Sequence, residues 1–484
     1  MANVLMFLAA AAMFVFLHFA LKRPWTLSVV GALLVFVMLN MSLFKGSLEA
    51  VGLALGTNTV LSISAVMILA LLFLKVPVFI SVLCGSMFYF VFNPGINQII
   101  FGQRSILGTE NNTLLAIPFF VCSATFMNYS GVSNRIFDFT AVLTGRLPGG
   151  LAQVNVLLSA IMGGMSGSNL ADAASDAKYL VPQMVRKGFS NPFSSVVSAT
   201  SAMITPLIPP GIAMILYGAI ADVSIGKLFV SGLGVGFLLC VVQMVLVHFI
   251  SKNRGYVPIR TTKLTRREFT ASLKPAILPL FLPIIIMGGI RVGIFTATEA
   301  GAVAILYSVF LGFLYKELKG RYILQACKET VSNTAGIMLI VSAASVFSWV
   351  LTKERIPQQM TEWIVRSFPN KYAFLLAVNV FVLIVGMFIE GNATMIVLVP
   401  LLAPVARQYG INEIHFAMMY IFNNAIGALS PPMGTLMFVV CGITKCKTRD
   451  FIREAVPFYI MLVIVLLVLT FFPIFTTGLV DLIY

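Results

Sequence analysis

Long apolar segments recur from one end of the chain to the other, and they limit the fold more than any other feature. Val4–Ala20, Leu228–Ile250 and Val456–Phe475 are examples, each about long enough to cross a bilayer as a helix. Hydrophobic residues make up 59% of the 484 residues and charged residues only 10%. A soluble protein could not cover so apolar a chain with a polar surface. The sequence therefore predicts an all-α polytopic membrane protein.

The formal net charge of +15 does not indicate nucleic-acid binding. The basic residues fall in short loops between apolar segments, which is the positive-inside pattern of membrane proteins. The most basic loop, residues 252–274, is predicted to be cytoplasmic, either as an orientation signal or as a docking surface for lipid or a partner. Residues 101–112 are also predicted to form a loop because they are polar.

Enzyme chemistry and resident cofactors are not expected. The six cysteines show no metal-ligand spacing, and the three histidines, His18, His248 and His415, are scattered. No His-Glu motif is present, which argues against an intramembrane enzyme. A passive channel is disfavoured because no filter motif appears.

The stretch from Gly163 to Gly211 interrupts this apolar pattern with small hydroxylated residues, an acid and clustered prolines. Broken backbone at membrane depth is tolerated only where it is buried in protein or lines a cavity, so the stretch predicts a solute or ion site. Basic residues on both flanks, such as Arg146 and Lys187, favour a re-entrant hairpin that enters and leaves on the cytoplasmic side. The alternative is one ordinary helix with tolerated glycines and serines.

Part of this stretch recurs later in the chain. The matched features are Leu180-Val181-Pro182 and Leu398-Val399-Pro400, the acids Asp172 and Glu390 ten residues before those prolines, Pro209-Pro210 and Pro431-Pro432, and Phe229 and Phe451 twenty residues after the first proline of each pair. Four coincidences in one order indicate a diverged duplication. Interrupted helices at corresponding positions in two halves predict the midplane site of a secondary transporter.

The chemistry of such breaks suits a cation and an anion together. An unwound helix frees backbone carbonyls, which with side-chain oxygens can replace the hydration shell of Na⁺. Half-helix N-termini direct N–H groups and a positive dipole end at an anionic substrate. One break can therefore serve a cation and an anion together.

Two acids in these breaks are candidate site residues. A charge at the bilayer centre costs ~2.5–3.5 kcal/mol on insertion scales, so an intramembrane acid indicates function. For Asp172 a cation-site or gating role is favoured over a helix N-cap. Glu390 is open between a site residue and a residue at a wetter hairpin tip, because Gly391-Asn392 follows it.

Several motifs together resemble one transporter family. They are Leu114-Leu115-Ala116-Ile117-Pro118-Phe119, the run Leu147-Pro148-Gly149-Gly150-Leu151-Ala152-Gln153-Val154-Asn155-Val156, Gly163-Gly164-Met165-Ser166-Gly167-Ser168, Pro206-Leu207-Ile208-Pro209-Pro210, Ser224-Ile225-Gly226-Lys227-Leu228-Phe229, Gly386-Met387-Phe388-Ile389-Glu390 and the run from Asn424 to Gly434. From about residue 62 to its end, the chain resembles the large membrane subunit of tripartite ATP-independent periplasmic (TRAP) transporters.

The resemblance implies an elevator-type importer coupled to Na⁺ in the bacterial inner membrane. It implies inverted repeats, each with a re-entrant hairpin and a broken helix. The implied partners are a small four-helix membrane subunit, a soluble periplasmic substrate-binding protein and the lipid bilayer. The implied substrate is an organic acid such as sialic acid or a C4-dicarboxylate. A stand-alone Na⁺/organic anion symporter or exchanger of the same superfamily is the alternative.

The site residues implied by the resemblance lie at the two hairpin tips and the two helix breaks. They are Ser166, Gly167, Ser168, Asn169, Asp172, Thr205, Pro206, Pro209, Pro210, Gly211, Glu390, Gly391, Asn392, Thr394, Asn424, Gly427, Ser430, Pro431, Pro432 and Gly434. Na⁺ is assigned to Ser166, Ser168, Asp172, Thr205, Glu390 and Ser430.

The same resemblance divides the chain. Residues 1–56 are predicted to form two extra transmembrane helices, and residues 57–484 the TRAP membrane domain. Repeat 1 covers about 110–250, with a hairpin at 151–187 and a broken helix at 193–220. Repeat 2 covers about 275–475, with a hairpin at 372–407 and a broken helix at 415–440.

Overall fold

The computed structural model describes residues 55–74, 76–93, 96–110 and 113–484, apart from the side chains of Phe73, Met165 and Ser166. Every regular element in these residues is a helix. The two extra helices predicted within residues 1–56 lie outside the described part, except for its last two residues. The described residues form two compact units.

The first unit comprises residues 55–110 and 338–355. It contains α1 (Thr57–Phe73), α2 (Val78–Phe92) and α3 (Ile99–Leu107). Helices α1 and α2 pack together, and Ser64 Oγ donates to the carbonyl of Gly85 at 2.5 Å. The aromatic rings of Phe90 and Trp349 stack with centroids 5.2 Å apart, so apolar packing holds this unit together.

The prediction of a loop at residues 101–112 is wrong for its first part, because α3 continues to Leu107. The side chain of Asn97 accepts from the backbone N–H of Ile99 at 3.0 Å and so satisfies a donor at the start of this helix. The polar residues of the segment occupy part of an amphipathic helix. They do not mark irregular backbone.

The second unit comprises residues 113–337 and 356–484. Its helices are α4 (Ala116–Tyr129), α5 (Val132–Thr144), α6 (Gly150–Ser166), α7 (Asn169–Arg186), α8 (Asn191–Ser201), α9 (Ile212–Ala221), α10 (Ile225–Asn253), α11 (Arg266–Arg291), α12 (Ala297–Leu314), α13 (Gly320–Lys353, of which residues 338–353 group with the first unit), α14 (Ile356–Ser367), α15 (Lys371–Gly386), α16 (Gly391–Gln408), α17 (Glu413–Leu429), α18 (Thr435–Thr444), α19 (Thr448–Phe471) and α20 (Ile474–Ile483).

Five of the described helices are long and apolar enough to cross a membrane. They are α10, α11, α12, α13 and α19. Two bent pairs, α8 with α9 and α14 with α15, raise the number of candidate spans to 7. The chain is therefore a multi-pass membrane protein.

Helices α6 and α7 form a hairpin. Helix α6 ends at Ser166, and Gly167 has a φ of 62°, a left-handed conformation that ends a helix and favours glycine. Helix α7 begins two residues later, and the two helices pack against each other. The alternative of one ordinary helix through this stretch is therefore excluded.

Helices α8 and α9 form the first broken helix. Helix α8 ends at Ser201, a single 3₁₀ turn covers Thr205–Leu207, and α9 starts at Ile212 after a bend of 42°. Prolines at positions 206, 209 and 210 lack the N–H that a continuous helix needs, which explains the interruption.

The second half of the chain repeats this order. Helices α15 and α16 are separated at residues 387–390, where the second hairpin tip lies, and α17 and α18 are separated at residues 430–434. The Pro209-Pro210 and Pro431-Pro432 peptide bonds are both cis. The two repeats therefore share local backbone geometry at their breaks as well as sequence.

The two repeats interlock through their second arms. Helix α7 of the first hairpin packs against α18 of the second broken helix. Helix α16 of the second hairpin packs against α9 of the first broken helix. Hydrogen bonds add to this contact between the repeats. Asn191 Nδ2, at the start of α8, donates to Thr444 O at the end of α18 at 3.0 Å, and Arg407 Nη2 of α16 donates to Ala221 O at the end of α9 at 2.6 Å. The four interrupted elements thus form one packed body.

The basic loop predicted at residues 252–274 is shorter than expected. Helix α10 extends to Asn253, and α11 begins at Arg266 with a capping box, in which Thr265 and Glu268 bond each other's backbone N–H groups. The Thr265-Arg-Arg-Glu268 pattern could have located this start in the sequence.

The first part of the remaining loop packs against other segments of the second unit, so it is more than a solvated orientation signal. Arg254 forms an ion pair with Glu454 at 2.6 Å, and the Tyr256 hydroxyl accepts from Ser190 N at 3.2 Å. The backbone N–H of Arg260 donates to Gly145 O at 3.0 Å. The loop therefore joins α10 to the ends of several neighbouring helices.

We predict that Gly427→Ala destabilises the second repeat by about 1–3 kcal/mol, because a Cβ there overpacks a close helix crossing. It would lie 2.7 Å from the Cα of Gly386, where α17 crosses α15. The control is Gly442→Ala in α18, whose Cβ would meet nothing within 4 Å. Thermal unfolding of both purified variants in detergent measures the difference. Equal midpoints would show that this crossing is not close-packed.

Candidate functional site

A cavity of about 470 Å³ lies where the interrupted elements of the second unit meet. The first repeat lines it with Gly167, Ser168, Asn169 and Pro206. The second repeat lines it with Glu390, Gly391, Asn392 and Asn424. The structure therefore brings both hairpin tips and both broken helices to one site.

Four helix N-termini contribute to this cavity. Helices α7 and α16 begin at the hairpin tips, and α9 and α18 begin after the breaks, with Ile212 and Thr435 among the lining residues. The N-caps of α9 and α18 are Gly211 and Gly434, and neither supplies a side-chain hydrogen bond. Backbone N–H groups at such helix starts are donors for an anion.

No Lys, Arg or His is found among the described residues that line the cavity. An anion there would be held by helix dipoles and hydrogen bonds rather than by a formal positive charge of the protein. Each helix start carries roughly half a positive charge, and its effect is larger where water is excluded. The arrangement suits one carboxylate better than a strongly charged polyanion.

Asp172 is buried in the first repeat but does not line the cavity. Its Oδ2 accepts from Thr205 Oγ1 at 2.8 Å, which ties the first hairpin to the first broken helix. Ser168 is the N-cap of α7, with its hydroxyl accepting from Ala171 N at 3.4 Å. The N-cap alternative for Asp172 is therefore excluded. Asp176, one turn further on, accepts from Ser159 Oγ at 3.1 Å.

Glu390 is the N-cap of α16 and also lines the cavity. One carboxylate oxygen accepts from Ala393 N at 3.1 Å, and the other accepts from Asn392 Nδ2 at 2.9 Å. Its negative charge lies at the positive end of the α16 dipole, which stabilises it. The two acids that match in sequence therefore make different contacts.

Asn424 fastens the second hairpin tip to the second broken helix. Its Nδ2 donates to Gly391 O at 2.7 Å. Its Oδ1 is buried and has no hydrogen-bond partner among the described residues. A buried oxygen left in this way is available to a cation or a bound ligand.

The other predicted site residues lie behind the cavity wall. The Ser430 hydroxyl donates to Ile426 O of its own helix, and Thr394 contacts Glu390 O and Tyr420. The remaining predicted residues form the breaks and the helix crossing without lining the cavity: Pro209, Pro210, Gly211, Gly427, Pro431, Pro432 and Gly434. The side chain of Ser166 is outside the described part.

A pair of buried asparagines was missed by the sequence reading. Asn155 on α6 donates to Ser198 and accepts from Ser201 on α8, at 2.6 and 2.9 Å. In the second repeat, Asn379 on α15 accepts from Asn423 on α17 at 3.0 Å. Each bond fixes the first hairpin arm to the first half of the broken helix.

The repeat register contains a signal for this pair. Asn155 and Asn379 each lie twelve residues before a tip glycine, Gly167 and Gly391. Their partners Ser201 and Asn423 each lie eight residues before the first proline of the Pro-Pro pair, Pro209 or Pro431. Extending the duplication to polar residues inside the helices would have found them.

We predict that Thr205→Val lowers uptake more than Thr205→Ser does, because valine keeps the shape but removes the hydroxyl that Asp172 needs. A hydrogen bond to a charged group contributes about 1.5–3 kcal/mol, so the loss should be roughly tenfold or more. Initial uptake rates in vesicles, normalised to protein inserted in the membrane, measure it. Equal rates for the two variants would remove this contact from the mechanism.

Duplicated hairpins and broken helices around a shared cavity, in a multi-pass membrane protein, define a membrane transport protein. Residues 65–475 match the family described as the DctM component of the tripartite ATP-independent periplasmic transporter. The chain belongs to this family, and it is a transport protein, not an enzyme.

Curated relatives agree with this assignment. The chain is 38% identical over 415 residues, which is 86% of this chain and 97% of the relative, to the sialic acid TRAP transporter large permease protein SiaM of Vibrio cholerae. It is 36% identical over 366 residues, 75% of this chain and 85% of the relative, to the C4-dicarboxylate TRAP transporter large permease protein DctM of Pseudomonas aeruginosa.

A solved structure supports the fold. The YdaH transporter of Alcanivorax borkumensis superposes with a TM-score of 0.56 and 14% identity, covering 79% of this chain and 88% of that one. At this identity the similarity concerns the fold alone. It agrees with an all-α polytopic architecture.

Proposed function

We propose that this protein is the large subunit of a Na⁺-coupled tripartite importer of an organic acid in the bacterial inner membrane. A periplasmic binding protein would deliver the acid, and a small membrane subunit would complete the assembly. The relatives named as sialic acid and C4-dicarboxylate transporters support an organic acid as the substrate class.

The observation that carries the proposal is the convergence of the starts of α7, α9 and α18 on one cavity that has no basic residue among its described lining. The fourth helix start there, that of α16, is capped by Glu390. Such a site favours a carboxylate through backbone donors. It also releases its ligand more readily than a buried arginine or lysine would, because no tight ion pair has to be broken. Reversible binding is what a transporter needs.

The residues beside this cavity fit Na⁺ as the coupling ion. Na⁺ is a hard cation that prefers oxygen ligands, and such sites are found beside helix breaks. In the second repeat, the Asn424 Oδ1 that lacks a described partner lies close to the Glu390-Gly391 tip. In the first repeat, the buried Asp172 carboxylate and the Thr205 hydroxyl supply oxygens. Cation and carboxylate would then offset each other's charge.

An elevator movement is the proposed transport step. The interlocked body formed by α6–α9 and α15–α18 is joined by contacts and hydrogen bonds between the repeats, so we expect it to move as one piece. Movement of a rigid body around an intact site is the general solution for transporters of this type. Such a movement requires no change of backbone conformation at the breaks.

The test is uptake into proteoliposomes that contain the membrane complex, with the binding protein outside. N-acetylneuraminate and succinate are the test acids, each with its cognate binding protein. We expect accumulation with an inward Na⁺ gradient and none with K⁺ in its place. Accumulation driven equally by a proton gradient alone would contradict Na⁺ coupling, and accumulation without the binding protein would contradict the tripartite assembly.

Asp172→Asn is expected to reduce Na⁺-driven uptake at least about tenfold, since it removes the charge beside the cation and weakens the bond from Thr205. The matched control is Asp481→Asn, at an exposed position in α20. Both variants should insert into the membrane normally. Wild-type uptake by Asp172→Asn would exclude this carboxylate from the coupling site.

A further inference from the structure

The cavity has a second group of lining residues, which lie outside the hairpins and the broken helices. Val121, Ala124, Thr125 and Asn128 line it from α4. Their spacing of i, i+3, i+4 and i+7 places them on one face of the helix. Asn333 lines it from α13. The proposed transport chemistry gives these residues no role.

Asn128 and Asn333 are the polar members with unused hydrogen-bonding groups. Both are exposed, and neither bonds to any residue in the described part of the chain. Thr125 differs, because its hydroxyl donates to Val121 O at 2.8 Å. A carboxamide offers two donors and one acceptor, with no charge. These two side chains can therefore both donate to and accept from a ligand.

The group that uses both functions of a carboxamide is a hydroxyl or an amide. A carboxylate can accept from the NH₂ group but leaves the carbonyl oxygen unmatched. Among the described residues, no cationic side chain lines the cavity and the Glu390 carboxylate does, so a second negative charge on the ligand finds no partner in the protein. A second carboxylate would therefore match only the donors of these asparagines. A neutral hydroxylated chain would match both their donors and their acceptors.

The size of the cavity points in the same direction. A volume of about 470 Å³ lies within the range of pockets that enclose drug-sized ligands. A four-carbon diacid would leave much of this space to water. A longer acid would extend from the helix N-termini to Asn128 and Asn333.

We infer that Asn128 and Asn333 are specificity-determining residues that bind the neutral, hydroxylated part of the substrate, and that the substrate is a polyhydroxylated monocarboxylate rather than a diacid. The carboxylate is held at the helix N-termini, as in the proposed function, on which this inference rests. Val121 and Ala124 cover the carbon backbone of the ligand. The substrate class follows from these two kinds of lining.

The test is direct binding to the purified membrane complex in Na⁺, without the binding protein, so that the binding protein's own selectivity has no influence. D-gluconate is the hydroxylated monocarboxylate, succinate the diacid and mannitol the hydroxylated molecule without a carboxylate. Calorimetry is done on the wild type, Asn128→Leu, Asn333→Leu and the control Asn253→Leu. Asn253 is exposed at the end of α10, away from the cavity lining.

We expect gluconate to bind the wild type at least about fivefold more tightly than succinate, and mannitol not to bind. Each cavity variant should lose roughly fivefold in gluconate affinity, as expected for one hydrogen-bonding group. Succinate affinity should not change, and Asn253→Leu should match the wild type. Unchanged melting temperatures without ligand show that the variants are folded.

Tighter binding of succinate than of gluconate, or wild-type gluconate affinity in either cavity variant, would overturn this inference and leave the proposed function intact. Absence of gluconate binding in Na⁺ would also overturn this inference. The proposed function is tested separately, by the uptake assay with the binding protein, so the two failures are distinguishable.

Discussion

Backbone polar groups inside a membrane must find partners within the protein, and the rest of this structure depends on that constraint. The chain interrupts its helices at residues 167–168, 202–211, 387–390 and 430–434. Prolines remove some of the N–H donors that would otherwise be left unpaired. Other backbone groups find partners in packed side chains; at the break after α17, Tyr459 donates to Leu429 O at 3.0 Å. Interlocking the repeats is what makes four breaks tolerable in one membrane protein.

The same breaks create the electrostatics of the cavity. Helices that start inside the protein direct their N–H groups inward, so positive potential arises without lysine or arginine. Two acids then modify it in different ways. Glu390 accepts a hydrogen bond from the backbone at the start of α16, whereas Asp172 lies outside the cavity lining and accepts from Thr205. The duplicated scaffold is therefore chemically asymmetric, which would let the proposed cation and anion bind in neighbouring places.

Much of the architecture could be predicted from the sequence, because helix breakers inside apolar segments have few interpretations. The predicted hairpin at 151–187 corresponds to α6 and α7, and the predicted broken helix at 415–440 to α17 and α18. The class of protein followed from the repeat and from the family motifs. The loop predicted to extend to residue 274 ends earlier, at the start of α11. Its basic residues indicate a loop, whereas the Thr265–Glu268 capping box marks the helix start.

The contacts across the site could not be predicted. Whether Asp172 or Ser168 caps α7 depends on where the left-handed turn at Gly167 falls, and the motif alone does not show this. Asn128 and Asn333 carry no local motif, and they reach the cavity only through the packing of α4 and α13. Pairing in three dimensions decides which polar residues of an apolar chain meet.

The most direct measurement is an electron cryomicroscopy map of the membrane complex with Na⁺ and a bound organic acid. The carboxylate is expected within hydrogen-bonding distance of backbone N–H groups at the starts of α7, α9 or α18. A cation density is expected among side-chain and carbonyl oxygens of the hairpin tips and breaks. A carboxylate bound to lysine, arginine or histidine, or unbroken helices through residues 202–211 and 430–434, would contradict this expectation.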